Sequence, residues 1–271
     1  MQNYCIQREK IKTILRISDR TSAQTKHMIK SLLASLAIAV MVSVSPAISW
    51  GLSPNTNEIV PAAPDGVETL LKEYNGLYVS DTEEKKVFLT FDLGYEAGYT
   101  SQILDTLKQH DIKAVFFLCS HYLTEKDLVD RMLAEGHTIG NHTDKHKDLP
   151  NLSREAAITD IMTFQNKFIE KYPDEKPPVF FRPPQGRIDQ KTLEIAKENN
   201  LRTMMWSIAI VDWGKSPIDA QRSADKIASR VHPGAIVLLH ITNSGTPKML
   251  ELLIPKLIEK GYQIGDHDEI V

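Results

Sequence analysis

From Lys86 onward the chain alternates short apolar runs with longer amphipathic stretches, and this alternation most restricts what it can fold into. The apolar runs are 87–91 (VFLTF), 114–119 (AVFFLC), 137–141 (HTIGN), 179–182 (VFFR), 203–208 (TMMWSI) and 235–240 (AIVLLH), with a weaker one at 262–265 (YQIG). Short runs rich in β-branched and aromatic residues read as strands. Between them, 100–110, 125–135, 153–171, 189–199, 219–230 and 246–260 read as helices. In 153–171, Ser153 stands as the N-cap, and Ala157, Ile158, Ile161 and Phe164 recur at helical spacing. Strands alternating with helices predict a parallel sheet or barrel. Six or seven such units in this length predict an α/β fold, a distorted (β/α) barrel of six to seven parallel strands rather than a full eightfold one.

Ahead of this pattern lies a different kind of sequence. Residues 1–30 carry seven basic and two acidic side chains, and 31–49 (SLLASLAIAVMVSVSPAIS) carry no charge. A basic flank, an apolar run and a small-residue exit predict a signal peptide or an N-terminal membrane anchor over residues 1–49. Ala47-Ile48-Ser49 has the form of a cleavage site. Met28 offers an internal start that would leave a compact signal. Either way the remainder is expected outside the membrane, touching it only through the N-terminal segment. The Pro- and Asn-rich stretch 50–85 reads as a linker and N-terminal arm, and 86–271 as the catalytic domain.

The chain has 32 Lys plus Arg against 35 Asp plus Glu, a net charge of −3. With the basic N-terminal segment set aside the rest is distinctly acidic, which argues against nucleic acid as a partner. Two cysteines, Cys5 and Cys119, cannot build a disulfide framework. Cys119 sits in an apolar run and reads as a buried, inert thiol. A monomer is expected.

In α/β folds the site forms where strands end. The polar residues there are Asp92, His142 and His146, Arg182 followed by Pro183-Pro184-Gln185-Gly186, Asp212-Trp213, and His240. Each alone has an ordinary structural reading. An HxxxH pair can be a surface accident, Asp92 a helix cap, Arg182 half of a surface ion pair, and Trp213 core. Together they offer a carboxylate base, an arginine to keep it ionised, two imidazoles for a transition metal, and a histidine acid oriented by Asp212.

These five segments, in this order, resemble the polysaccharide deacetylase (NodB homology) family, carbohydrate esterase family four. The resemblance spans residues 85–266 and rests on Thr90-Phe91-Asp92-Leu93-Gly94, His142-Thr143-Asp144-Lys145-His146, Arg182-Pro183-Pro184-Gln185-Gly186, Asp212-Trp213 and Val237-Leu238-Leu239-His240. FDLGYEAGYT, EGHTIGNHT and WSIAIVDW resemble most the delta-lactam-biosynthetic de-N-acetylases of spore-forming bacteria. The resemblance implies an exported hydrolase that removes the acetyl group from N-acetylmuramic acid in peptidoglycan strands, so that the freed amine can close the muramic delta-lactam of spore cortex. It implies Asp92 as base, His240 as acid with Asp212, Arg182 orienting Asp92, and a divalent metal, expected to be zinc, on His142 and His146. Tyr95, Gln185 and Trp213 are the expected substrate contacts.

Leu93 departs from the family pattern, which has a second, metal-ligating aspartate there. Three consequences are open: weak binding through two histidines, replacement by another carboxylate (Glu96 or Asp144), or a poorly working site. Two rival functions follow: deacetylation of N-acetylglucosamine in peptidoglycan or chitin, or of acetylxylan, and a catalytically impaired glycan-binding protein.

Overall fold

The protein is described here by a computed structural model, which covers residues 46–214 and 216–270. The expectations for the basic flank, the apolar run to residue 45 and the Met28 start lie outside these residues. Among the described residues no helix is long and apolar enough to cross a membrane.

Strands β2 (Lys86–Leu93), β3 (Val115–Leu118), β4 (Thr138–Asn141), β5 (Phe180–Phe181), β7 (Arg202–Thr203), β8 (Ile208–Ala209) and β9 (Ala235–His240) pair in the order β7-β5-β4-β3-β2-β9-β8. All neighbours are parallel. The seven strands curl into a half-barrel, within the expected six to seven. A short β10 (Gln263–Ile264) adds to the start of β2. Strand β2 lies at the centre and is buried on both faces, which is why its sequence is a nearly continuous apolar run.

Helices occupy the predicted stretches. They are α2 (Thr100–Gln109), α3 (Lys126–Ala134), α4 (Arg154–Lys171), α5 (Gln190–Glu198), α6 (Ala220–Ala228) and α7 (Thr246–Glu259), with α1 (Val67–Glu73) ahead of them. Ser153 caps α4 by accepting from the Ala156 N–H, and Ala157, Ile161, Phe164 and Phe168 form its buried stripe. The main apolar layer lies between β2, β3, β9 and helices α2 and α7.

Two sequence expectations differ from the structure. The run 203–208 is not one strand. Thr203 ends β7 at one edge of the sheet and Ile208 begins β8 at the other, with Met204–Ser207 passing directly between them. Residues 50–85 are also not a loose linker. The compact unit begins at Ala47. Strand β1 (Ile48–Ser49) pairs antiparallel with β6 (Arg187–Ile188). Trp50 is buried against Tyr78, its backbone N–H bonds the Gly186 carbonyl at 2.7 Å and its indole N–H bonds the Trp206 carbonyl at 2.9 Å. Leu77 then bridges to Met204 and Val79 to Ala235, so the arm ties the two sheet edges together.

Candidate active site

Strand register gathers the polar residues at one end of the sheet. Asp92 on β2 is the register partner of His240 on β9 and of Phe117 on β3, while Asn141 on β4 faces Phe181 on β5, one residue before Arg182. Strand ends that read as separate signals therefore meet in one place.

Arg182 is fully buried. Its Nη1 donates to Asp92 Oδ1 at 2.8 Å and to Thr90 Oγ1 at 2.9 Å, and its Nε and Nη2 donate to the Met204 and Met205 carbonyls. The guanidinium lies 4.1 Å above the Phe117 ring, and that ring fills the space where Gly140 has no Cβ. Burial by itself would raise the Asp92 carboxyl. The Arg182 charge, helped by His142 and His240, outweighs it and holds Asp92 below the usual carboxylate range. Asp92 is thus an ionised carboxylate with Oδ1 anchored and Oδ2 turned toward His142.

His240 is the complementary group. Its Nδ1 lies 2.8 Å from Asp212 Oδ1, and its backbone N–H donates to Asp212 Oδ2 at 2.7 Å. Asp212 is wholly buried. Burial would lower the imidazole's pKa, but the hydrogen bond and charge of Asp212 win and raise it. The Nδ1–H bond leaves Nε2 as the working nitrogen.

The two imidazoles come together through a strained loop rather than a helical turn. Thr143 and His146 both adopt the left-handed backbone region, at φ 72° and 52°. Asn141 braces the loop: its Oδ1 accepts from the Thr143 N–H, and its Nδ2 reaches the Ile161 carbonyl on α4. The rings of His142 and His146 stand 5.0 Å apart. His142 Nδ1 bonds the Arg182 carbonyl at 2.8 Å, so Nδ1 carries the proton and Nε2 presents a lone pair. Burial pushes this imidazole down to about 4, so it is neutral. Its Nε2 faces Asp92 Oδ2 across 3.6 Å. At that distance the two acceptors share no hydrogen bond.

The carboxylates suggested to replace the missing ligand are committed elsewhere. Glu96 accepts from the Gly98 N–H, from the Thr100 N–H and hydroxyl, and from the Tyr122 hydroxyl, anchoring the start of α2. Asp144 is paired with Lys167 on α4 at 2.6 Å. Leu93 is fully buried in the apolar layer beneath the sheet. Among the described residues no group of three or more His, Cys, Asp or Glu is arranged to hold a metal. The donors present, two neutral imidazoles, still suit a borderline cation such as zinc, with fewer protein ligands than the usual three.

Above these residues opens a cleft of about 1280 Å³. Tyr95 and Trp213 stand on its walls, 57% and 60% exposed, and Gln185 sits at a left-handed turn, φ 60°, on its rim. All three expected substrate contacts thus line one cavity with Asp92, His142, His146 and His240. Cys119 is buried below it; its thiol donates to the His142 carbonyl and burial pushes its pKa upward, as expected of an inert thiol.

The sequence profile of the polysaccharide deacetylase family matches residues 79–204. The peptidoglycan-N-acetylmuramic acid deacetylase PdaA of Bacillus subtilis is 34% identical over 226 residues, which are 83% of this chain and 86% of that one. The chain belongs to the polysaccharide deacetylases, carbohydrate esterase family four. It is therefore a hydrolase acting on carbon–nitrogen bonds other than peptide bonds. The crystal structure of the same PdaA superposes on this deacetylase with a TM-score of 0.76 at 32% identity, covering 83% of this chain and 96% of that one. A peptidoglycan-N-acetylglucosamine deacetylase of Bacillus cereus is 36% identical over 197 residues, 69% of this chain and 89% of its own. A family 4 pseudoenzyme of Bacillus anthracis is also similar, with a TM-score of 0.66 at 28% identity over 72% of this chain and 68% of that one.

Several residues of this deacetylase's site escaped the sequence. Asn141 stands in the sequence only as the end of an apolar run and Asn243 belongs to no motif, yet Asn243 is buried, accepts from the Ile218 and Gly245 N–H groups and donates to the Ser216 carbonyl. It pins the loop that carries Trp213. Trp50 and Trp206 gave no signal either, since their contact spans 156 residues.

Proposed function

We propose that this deacetylase acts on peptidoglycan and removes the N-acetyl group of N-acetylmuramic acid, outside the cell membrane, to provide the free amine from which a muramic delta-lactam closes. The observation that carries the reading is the opposition of Asp92 and His240 on adjacent strands in one cleft, an anchored carboxylate held below the usual range and an imidazole raised above its own.

Asp92 Oδ2 takes a proton from the water that attacks the acetamide carbonyl carbon. The tetrahedral oxyanion is received by the Gln185 backbone N–H, a contribution of roughly 3 kcal/mol in comparable sites. His240 Nε2 then gives its proton to the amine nitrogen as the C–N bond breaks, releasing acetate. Arg182 keeps Asp92 ionised and aimed, and Asp212 keeps His240 charged. Tyr95 and Trp213 offer flat faces to sugar rings. His142 and His146 would hold the divalent metal, which when bound polarises the acetamide carbonyl.

The PdaA likeness supports muramic acid as the sugar, and the comparable likeness to a glucosamine-specific enzyme makes the sugar a matter for direct test. A second reading is a glycan-binding protein with an impaired site. Leu93 and the similar pseudoenzyme favour it. Acetate release from glycan strands, measured with and without added divalent metal, separates the two. Metal-stimulated release is the expected result; glycan binding with no release under any metal would establish the second reading.

A further inference from the structure

The wall of the cleft carries an exposed lysine that forms no ion pair among the described residues. Two carboxylates on the lining are accounted for: Asp92 is paired with Arg182 and Asp144 with Lys167. Lys145 also lines the cleft, is exposed, and has no ion-pair partner among the described residues. It sits between the two imidazoles in sequence. The loop directs it there for a physical reason. Asp144 is tied to α4 twice, by its N–H to the Asp160 carbonyl at 2.8 Å and by its carboxylate to Lys167. Thr143 and His146 turn the backbone through the left-handed region on either side. Lys145 is left exposed on the cleft wall between anchored neighbours.

An exposed ammonium on the cleft wall of an acidic domain favours an anionic substrate. N-acetylmuramic acid differs from N-acetylglucosamine by a lactyl ether on C3, which ends in a carboxylate. That carbon adjoins C2, the carbon bearing the acetamido group. With the acetamide held between Asp92 and His240, the C3 substituent leaves the ring within the reach of a lysine side chain on the same rim. We infer that Lys145 binds the lactyl carboxylate and is the residue by which this enzyme prefers muramic acid to glucosamine. A charge-assisted N–H···O bond of this kind gives both attraction and register along the strand. The inference rests on the muramic acid reading above and names the contact that makes it selective.

The test compares two polymers on the full chain: peptide-free strands of alternating N-acetylglucosamine and N-acetylmuramic acid, and a chito-oligosaccharide of equal length. Binding is followed by calorimetry and turnover by acetate release, for the parent, Lys145→Met and Lys145→Arg, with thermal unfolding confirming that each variant is folded. Lys145→Met should weaken binding of the muramic strand at least tenfold more than binding of the chito-oligosaccharide. Lys145→Arg should recover most of that difference, and raised salt should erase it. Equal effects on both polymers, or none on either, would overturn the inference even if the parent deacetylates muramic strands. Lys145-dependent binding of muramic strands without acetate release would sustain it while removing the deacetylase reading.

Discussion

Asp92 and His240 are register partners on the central strand pair, so the spacing of the proposed base and acid is fixed by backbone hydrogen bonds rather than by loops. Asp92 is also the ionic partner of Arg182, which has no access to solvent. Replacing it therefore has two consequences. Asp92→Asn should lower turnover by roughly 10² to 10⁴-fold through loss of the base. It should also cost about 3 kcal/mol in stability, because a buried guanidinium loses its counter-charge. Acetate release and urea denaturation measure the two effects, and a fully active variant would remove Asp92 from the base role.

The pH dependence follows from His240. Its pKa is raised because the Asp212 hydrogen bond and charge outweigh burial, while Asp92 is held low by Arg182 despite burial. The acid thus keeps its proton to higher pH than an ordinary histidine, and the base loses its proton at lower pH than an ordinary carboxyl. The alkaline limb of kcat/KM should lie above the ordinary histidine value of about 6.5. Asp212→Asn should move that limb down. In folding, the His240–Asp212 contribution is complete below the unfolded histidine pKa and is lost as pH rises through the raised folded value. The variant's stability deficit should therefore be greatest on the acid side. An unshifted alkaline limb would mean that His240 is not the titrating acid.

Leu93→Asp would supply the carboxylate that the family pattern leads one to expect at this position, but Leu93 packs in the apolar layer while Asp92 faces the cleft. A carboxylate at that position should cost roughly 3 kcal/mol in metal-free protein. Thermal unfolding in chelator checks this. If added zinc raises the variant's Tm more than the parent's, the new carboxylate has turned to the histidines.

Trp50→Ala should destabilise the protein by about 3 kcal/mol, as expected for a buried tryptophan. Because the Trp50 indole bonds the Trp206 carbonyl, and Trp206 packs against Gly186, the loop carrying Gln185 should loosen too, raising KM. Chemical denaturation and glycan kinetics measure the two. Removal of residues through Trp50 should act the same way and more strongly, since β1 goes as well.

What the sequence showed and what it hid follow from distance along the chain. Helices and central strands were legible because β2 and β9 bury both faces and α4 carries its own cap and stripe. Asp92, Arg182, Asp212 and His240 were legible because each follows an apolar run directly. Spacing puts Glu96 forward as a possible ligand but cannot show that Thr100 and Tyr122 hydrogen-bond its carboxylate. The 203–208 run looked like one strand because β7 and β8 share its composition and differ only in their partners, Phe180–Phe181 and Val237–Leu238. The stretch from Trp50 to Ser80 read as a linker and arm because the contacts that seat it on the domain, with Gly186, Trp206, Met204 and Ala235, are made far away in sequence.

The passage from Thr203 to Ile208 also sets a length limit. Five peptide steps reach at most about 18 Å, so the two edges of the sheet can never stand farther apart than that at this level. The half-barrel is thereby cinched by the chain itself. Variation in the loops above the strands leaves its girth untouched. An insertion between Met204 and Ser207 would let the sheet flatten, drawing Arg182, whose guanidinium holds the Met204 and Met205 carbonyls, away from Asp92.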